Sequence, residues 1–198
     1  MKPDGGQRRL LPMTRRPELV TVALLLAGVL VAACDAAPAP PSPPGGARAE
    51  AISGPFGLAF ELPKLTWASN EPIAGQATLA IAGGGVGVVT IGASGGGPLM
   101  FSIAEVDGTR RMDAASQADC VGHQLAPGAP IRSGITKSGG WDGADPHADF
   151  YRAFFADPLL HLPAGTWDIT AIASFTEGAD CAGPSHAMSA PIRIIVTD

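Results

Sequence analysis

Phe56, Leu58, Phe60 and Leu62 alternate with small or polar neighbours, the period of two that sets one face of a strand against a core. Ala77, Leu79 and Ile81 repeat the pattern after the turn-forming Asn70-Glu71-Pro72. Shorter apolar runs follow at Val86–Ile91, Leu99–Val106 and Ile131–Ile135. The clearest strand is Thr166 to Phe175, with Trp167, Ile169, Ala171, Ala173 and Phe175 on one face and Asp168, Thr170 and Ser174 on the other. Ile192, Ile194 and Val196 alternate again at the end. Short strands separated by Gly and Pro turns predict a mainly β fold, a single antiparallel β-sandwich of about seven strands.

One segment breaks this pattern. Between residues 138 and 161, Phe150, Ala153, Phe154 and Phe155 fit one to two turns of helix, with Asp145 near the start and Pro158 ending it. This short helical insertion is expected to act as a lid on the sandwich. Its other reading is a binding surface, with Trp141 and Tyr151 exposed as anchors.

Two turns, Leu125-Ala126-Pro127-Gly128 and Leu162-Pro163-Ala164-Gly165, place a leucine and a Pro/Gly reversal just before a strand. These corners, and the stretch Leu162 to Phe175, resemble bacterial immunoglobulin-like sandwiches. The order of elements also resembles the framework of the intracellular proteinase inhibitor family of bacilli. That likeness concerns the sheet framework and implies inhibition only as one alternative function.

The N-terminal part is of another kind. Arg8, Arg9, Arg15 and Arg16 precede Leu19 to Ala33, a stretch without charge, and Leu30-Val31-Ala32-Ala33-Cys34 follows the small-residue rule of a cleavage site. At about 1.5 Å per residue that stretch is too short to cross a ~30 Å hydrocarbon layer as a helix. The pattern resembles the lipobox of bacterial lipoproteins. The resemblance implies removal of residues 1–33, lipidation of Cys34, and attachment to a membrane on its extracytoplasmic side, periplasmic or at the cell surface.

The expected organisation is therefore a signal peptide over residues 1–33, a Pro/Ala-rich disordered linker over 34–50, and the sandwich domain over 51–198. Five of the 13 basic and two of the 18 acidic residues lie in 1–33, so the mature part carries 8 and 16, a net charge of −8. An acidic domain repels nucleic acid and anionic lipid alike, which excludes nucleic-acid binding and leaves membrane attachment to the lipid. Prolines and the lack of bulky apolar residues make the linker a tether.

Outside the cytoplasm, Cys120 and Cys181 are expected to pair as a disulfide. Closing a loop of about 60 residues adds up to roughly 4 kcal/mol on the chain-entropy view. The alternative is metal. Cys181-Ala182-Gly183-Pro184-Ser185-His186-Ala187-Met188 resembles the copper loop of cupredoxins, which implies Cys181, His186 and Met188 as ligands with His123 upstream. Cys120 and His123 with Cys181 and His186 also form a Cys2His2 set for zinc. Asp142, Asp145 and Asp149 read as solvated loop carboxylates, Asp145 as a helix cap.

No Gly-x-Ser-x-Gly elbow, His-Glu-x-x-His pair or phosphate-cradling loop occurs. Ser, His and acidic residues are numerous, but the sequence does not bring them together. The expectation is a lipid-anchored module without enzymatic activity or cofactor, binding an unidentified protein or envelope component or serving a structural role. The copper- or zinc-binding protein and the protease-inhibitor-like module are its alternatives.

Overall fold

A computed structural model describes residues 45–83 and 87–198. The signal region 1–33, Cys34, most of the tether and Val86 lie outside the described residues. Within them the chain forms β1 (Ala47–Ser53), β2 (Phe56–Leu62), β3 (Thr66–Ala68), β4 (Gln76–Ile81), β5 (Val89–Ala93), β6 (Leu99–Glu105), β7 (Arg111–Met112), β8 (Val121–Leu125), β9 (Ile131–Gly134), α1 (Ala148–Ala156), β10 (Gly165–Glu177) and β11 (Ser185–Thr197).

Two sheets pack face to face as a β-sandwich. The first has the order β1-β2-β4-β9, all antiparallel. The second is built on β10, which pairs with β11 along one edge and with β6 and then β5 along the other; β3, β8 and β7 extend it. The alternation seen in the sequence is the alternation of burial. Phe56, Leu58, Phe60 and Leu62 meet Trp167, Ile169, Ala171, Ala173, Phe175, Ile192 and Ile194 in one core. Phe56 meets Phe175 edge-on at 4.9 Å, and Phe60 meets Phe101 at 5.7 Å, an offset that suits the ring quadrupoles.

Three expectations need correction. The described residues hold eleven strands rather than about seven, because β1, β3, β7 and β8 carry too few bulky apolar residues to announce themselves. The sandwich is not wholly antiparallel, since β3 runs parallel to β11 through Thr66↔Ile195 and Trp67↔Val196. The domain also starts earlier than residue 51. Ala47, Ala49 and Ala51 pack small side chains on the core while Arg48 pairs with Glu50 and Glu61, so residues 47–50 belong to the sheet.

Along its second edge β10 pairs Trp167–Ala173 with Glu105–Leu99, then Thr176 and Glu177 with Gly92 and Ile91. β5 and β6 are thus one edge interrupted by a turn at 94–98, closed by Gly97 N–H on Ser94 O at 2.8 Å. This interruption pushes a loop out of the sheet and makes one wall of the cleft described below.

The insertion is a lid. Tyr151 and Phe154 are buried, and Phe150 lies against Trp167 with ring centroids 6.4 Å apart. The guanidinium of Arg110, held by Glu105, sits over both rings at 5.3 and 5.2 Å. α1 has no basic residue in its own last turn. Lys137 supplies the cation instead, donating to the carbonyls of Phe154, Asp157 and Leu159. Asp145 does not cap the helix directly: His147 is the N-cap residue, and Asp145 Oδ1 accepts its N–H at 2.7 Å.

Candidate functional site

Cys120 and Cys181 form the disulfide, with Cα atoms 6.2 Å apart. It joins the residue before β8 to the loop between β10 and β11. Cys181 has φ +56°, a left-handed conformation that non-glycine residues rarely adopt. The bridge lies directly over β5 at Gly92. A Cβ there would come within 2.7 Å of both Cys181 Sγ and Gly178 O, so only glycine lets the bridge sit this close.

Beside the bridge lies a cleft of about 300 Å³. Ser174, Thr176, Ser185 and Ala187 alternate with core-facing residues, so they present the outer face of the second sheet as its floor. Ser116 to Asp119 form a wall, and the 94–97 turn another. The walls are tied together: Gly95 N–H donates to Asp119 Oδ1 at 2.9 Å, and His123 Nε2 donates to Ser94 O at 3.1 Å. Its lining mixes hydroxyls, the Gln117 amide and the Asp119 carboxylate with apolar Met100 and Phe175 and the imidazole of His186, and holds no Lys or Arg.

A second cluster adjoins the cleft, whose lining includes His186 and Phe175, and its residues lie in the inward-facing phase of their strands. His186 on β11 packs edge-on against Phe56 at 4.8 Å and stacks on Phe175 at 5.1 Å. Ser53 Oγ lies 2.9 Å from its Nδ1, and Glu177 Oε1 lies 3.0 Å from its Nε2. A carboxylate only accepts, so Nε2 carries the proton and Nδ1 accepts the Ser53 hydroxyl. Three strand ends from both sheets thus meet through one imidazole.

The metal alternatives do not assemble. The sulfurs of Cys120 and Cys181 are bonded to each other, so neither copper nor zinc would find a thiolate. Met188 is buried in the core, both ring nitrogens of His186 are engaged, and His123 bonds to a backbone carbonyl. Among the described residues no group of three or more His, Cys, Asp or Glu is placed to hold a metal. Asp142 accepts the Ala144 N–H and Asp149 pairs with Arg152, the solvated roles expected for them.

Tyr151 is not an exposed anchor. Its hydroxyl accepts from Arg111 N at 2.8 Å and donates to Arg111 O at 2.9 Å, clamping the lid to β7. Trp141 is 39% exposed and lies flat on Phe155 at 5.4 Å.

The sequence motifs point to His186 only as a metal ligand and give Ser53 and Glu177 no role. A signal existed. Each continues an inward-facing phase by one step: Ala51 to Ser53, Phe175 to Glu177, and Met188 back to His186. A polar residue in the core phase at the end of a strand marks where the core meets solvent. No known protein-family model matches the chain, and no curated protein matches its sequence.

Proposed function

We propose that the chain is a lipid-anchored module of the cell envelope, in which Cys34 carries the lipid and the sandwich binds a protein or another envelope component, or braces it structurally. The observation that carries this reading is the Cys120–Cys181 disulfide. A bridge of this kind persists in an oxidising compartment, which agrees with the export signal read at Cys34. It also fixes the rim of the polar cleft, so the one constraint supports both the location and a preformed binding surface. The chain joins the first sheet at Ala47, opposite Leu62, whereas β1 ends at Ser53, beside the His186 that lines the cleft.

The test is mass spectrometry of the mature N-terminus, with Cys34→Ala compared by membrane fractionation. A diacylated Cys34, and release of C34A from the membrane fraction, are expected. An unmodified Cys34 in membrane-associated protein would overturn the anchoring.

A further inference from the structure

The cluster Ser53–His186–Glu177 has a chemistry that a binding or bracing role does not use. We propose that Ser53 is an activated nucleophile, with His186 as its general base and Glu177 as the carboxylate that positions the base, competent to accept an acyl group from an activated ester.

Four observations converge on it. The Ser53 hydroxyl donates to Nδ1 of a ring whose other nitrogen is held by a carboxylate, at 2.9 and 3.0 Å. This is the arrangement that activates a serine: nucleophile on base, base on orienting group. The ring cannot turn away, because Phe56 and Phe175 pack against it. Burial is graded, with the His186 side chain only 10% exposed and that of Glu177 43% exposed. The imidazole is therefore largely shielded from water while the carboxylate faces it. Finally, the approach is open. Ser53 ends β1 and Gly54 opens the two-residue hairpin to Phe56 with φ +58°. Apart from its chain neighbours, a Cβ built on Gly54 would meet one atom within 4 Å, His186 Cε1 at 3.6 Å, so the turn leaves room beside the Cε1 edge of the ring.

The ring works with its nitrogens in the sense Nδ1 to serine and Nε2 to carboxylate. As Ser53 Oγ bonds to the acyl carbon, its proton passes to Nδ1. Glu177 then faces an imidazolium and stabilises it through the Nε2–H bond. The bond from the acyl carbon to the leaving oxygen breaks, and that oxygen takes the proton from Nδ1. Water, giving a proton to the same nitrogen, then bonds to the acyl carbon; the acyl carbon–Oγ bond breaks, Oγ takes the proton back from Nδ1, and the carboxylic acid leaves. Nothing beyond the ester and water is consumed. The three residues leave no sequence motif because Ser53 and His186 are 133 positions apart.

The experiment is labelling of the purified full-length chain with an alkyl fluorophosphonate, which bonds to Ser53 Oγ as fluoride leaves, read by intact mass and peptide mapping. Ser53→Ala should abolish the adduct. The discriminating variant is His186→Gln, whose amide can accept from Ser53 and donate to Glu177 but cannot take a proton. It should keep the thermal midpoint and lose labelling by about 100-fold or more, the usual worth of a general base. Glu177→Gln should slow labelling at an unchanged midpoint. A native chain labelled no faster than the urea-unfolded one overturns the proposal, as does labelling that survives in H186Q. Neither result bears on Cys34, so the anchoring reading stands or falls separately.

Discussion

Replacing Lys137 by Met keeps the aliphatic stem and removes the charge that closes the end of α1. Its Nζ donates to three carbonyls, that of Asp157 at 2.8 Å, and lies 4.4 Å from the centroid of the Phe154 ring. These carbonyls belong to the last turn and the residues just beyond it, where a helix leaves acceptors without partners. A hydrogen bond to a charged group is worth about 1.5–3 kcal/mol. Against three of them stands the cost of drying the ammonium, the largest influence on this group, which holds its pKa below 10.5. Because the lowered pKa means that drying outweighs what the charge itself gains, the loss for K137M is that of ordinary hydrogen bonds left unmade at the three carbonyls, about 2–3 kcal/mol. For a domain of this size that is roughly 5–10 °C in Tm. Urea unfolding of the two proteins under non-reducing conditions measures it, with equal m values as the control. A loss under about 0.5 kcal/mol, the scale of an ordinary surface substitution, would refute the reasoning. The pH dependence supplies a sign. Because the folded pKa lies below the unfolded 10.5, the unfolded chain binds more protons in the window between them. Wild-type stability therefore gains relative to K137M as pH rises towards 10.5, and a gap that narrows would contradict the burial of this amine.

Three further outcomes are expected. Tyr151→Phe removes both bonds to Arg111 and should cost about 1–2 kcal/mol, since the site is only partly buried; an unchanged thermal midpoint would mean that the lid is not clamped there. Gly92→Ala forces a methyl against Cys181 Sγ and Gly178 O, so it should destabilise the fold by about 1–3 kcal/mol and raise the free-thiol count of the purified protein; a fully oxidised, equally stable variant would refute the close approach. Hydrogen bonds from Arg110 and Arg193 hold Glu105 and Asp168 below the usual carboxylate range. Their contribution is complete above the unfolded pKa values near 4 and is lost as pH falls through the lower folded ones. Arg110→Gln should therefore flatten the acid limb of the stability curve, and an unaltered limb would contradict the pairing.

The core strands were legible because their inward residues are large. β2, β10 and the end of β11 alternate Phe, Leu, Ile and Trp with polar neighbours, and burial follows that alternation position by position. Residues 47–50 of β1 resemble the tether because the inward residues of the strand are alanines, which fill a thin edge of the core without signalling a strand. β8 starts next to Cys120 with Val121 but carries Gly, His and Gln at its centre, and it holds its place through β5, a partner sequence does not reveal. The disulfide could be argued from compartment and count, because few alternatives exist for two cysteines. The Ser53–His186–Glu177 cluster could not, since its geometry depends on the two sheets closing at one end, and register across a sandwich is a tertiary property.

β10 has consequences for how the molecule comes into being. It is paired along nearly its whole length on one side by β11, and on the other by β6 and β5. Yet it and β11 are the last two elements of the chain. A chain emerging N-terminus first can pair β1 with β2 and β2 with β4 early. The second sheet has no spine until Gly165–Glu177 is released, and β10 has one bare edge until Ser185–Thr197 follows. Pairings of such long sequence separation form late and slowly. Closure of the second sheet thereby waits for Gly165–Thr197, and until that stretch is delivered β5 and β6 lack the partner that joins them.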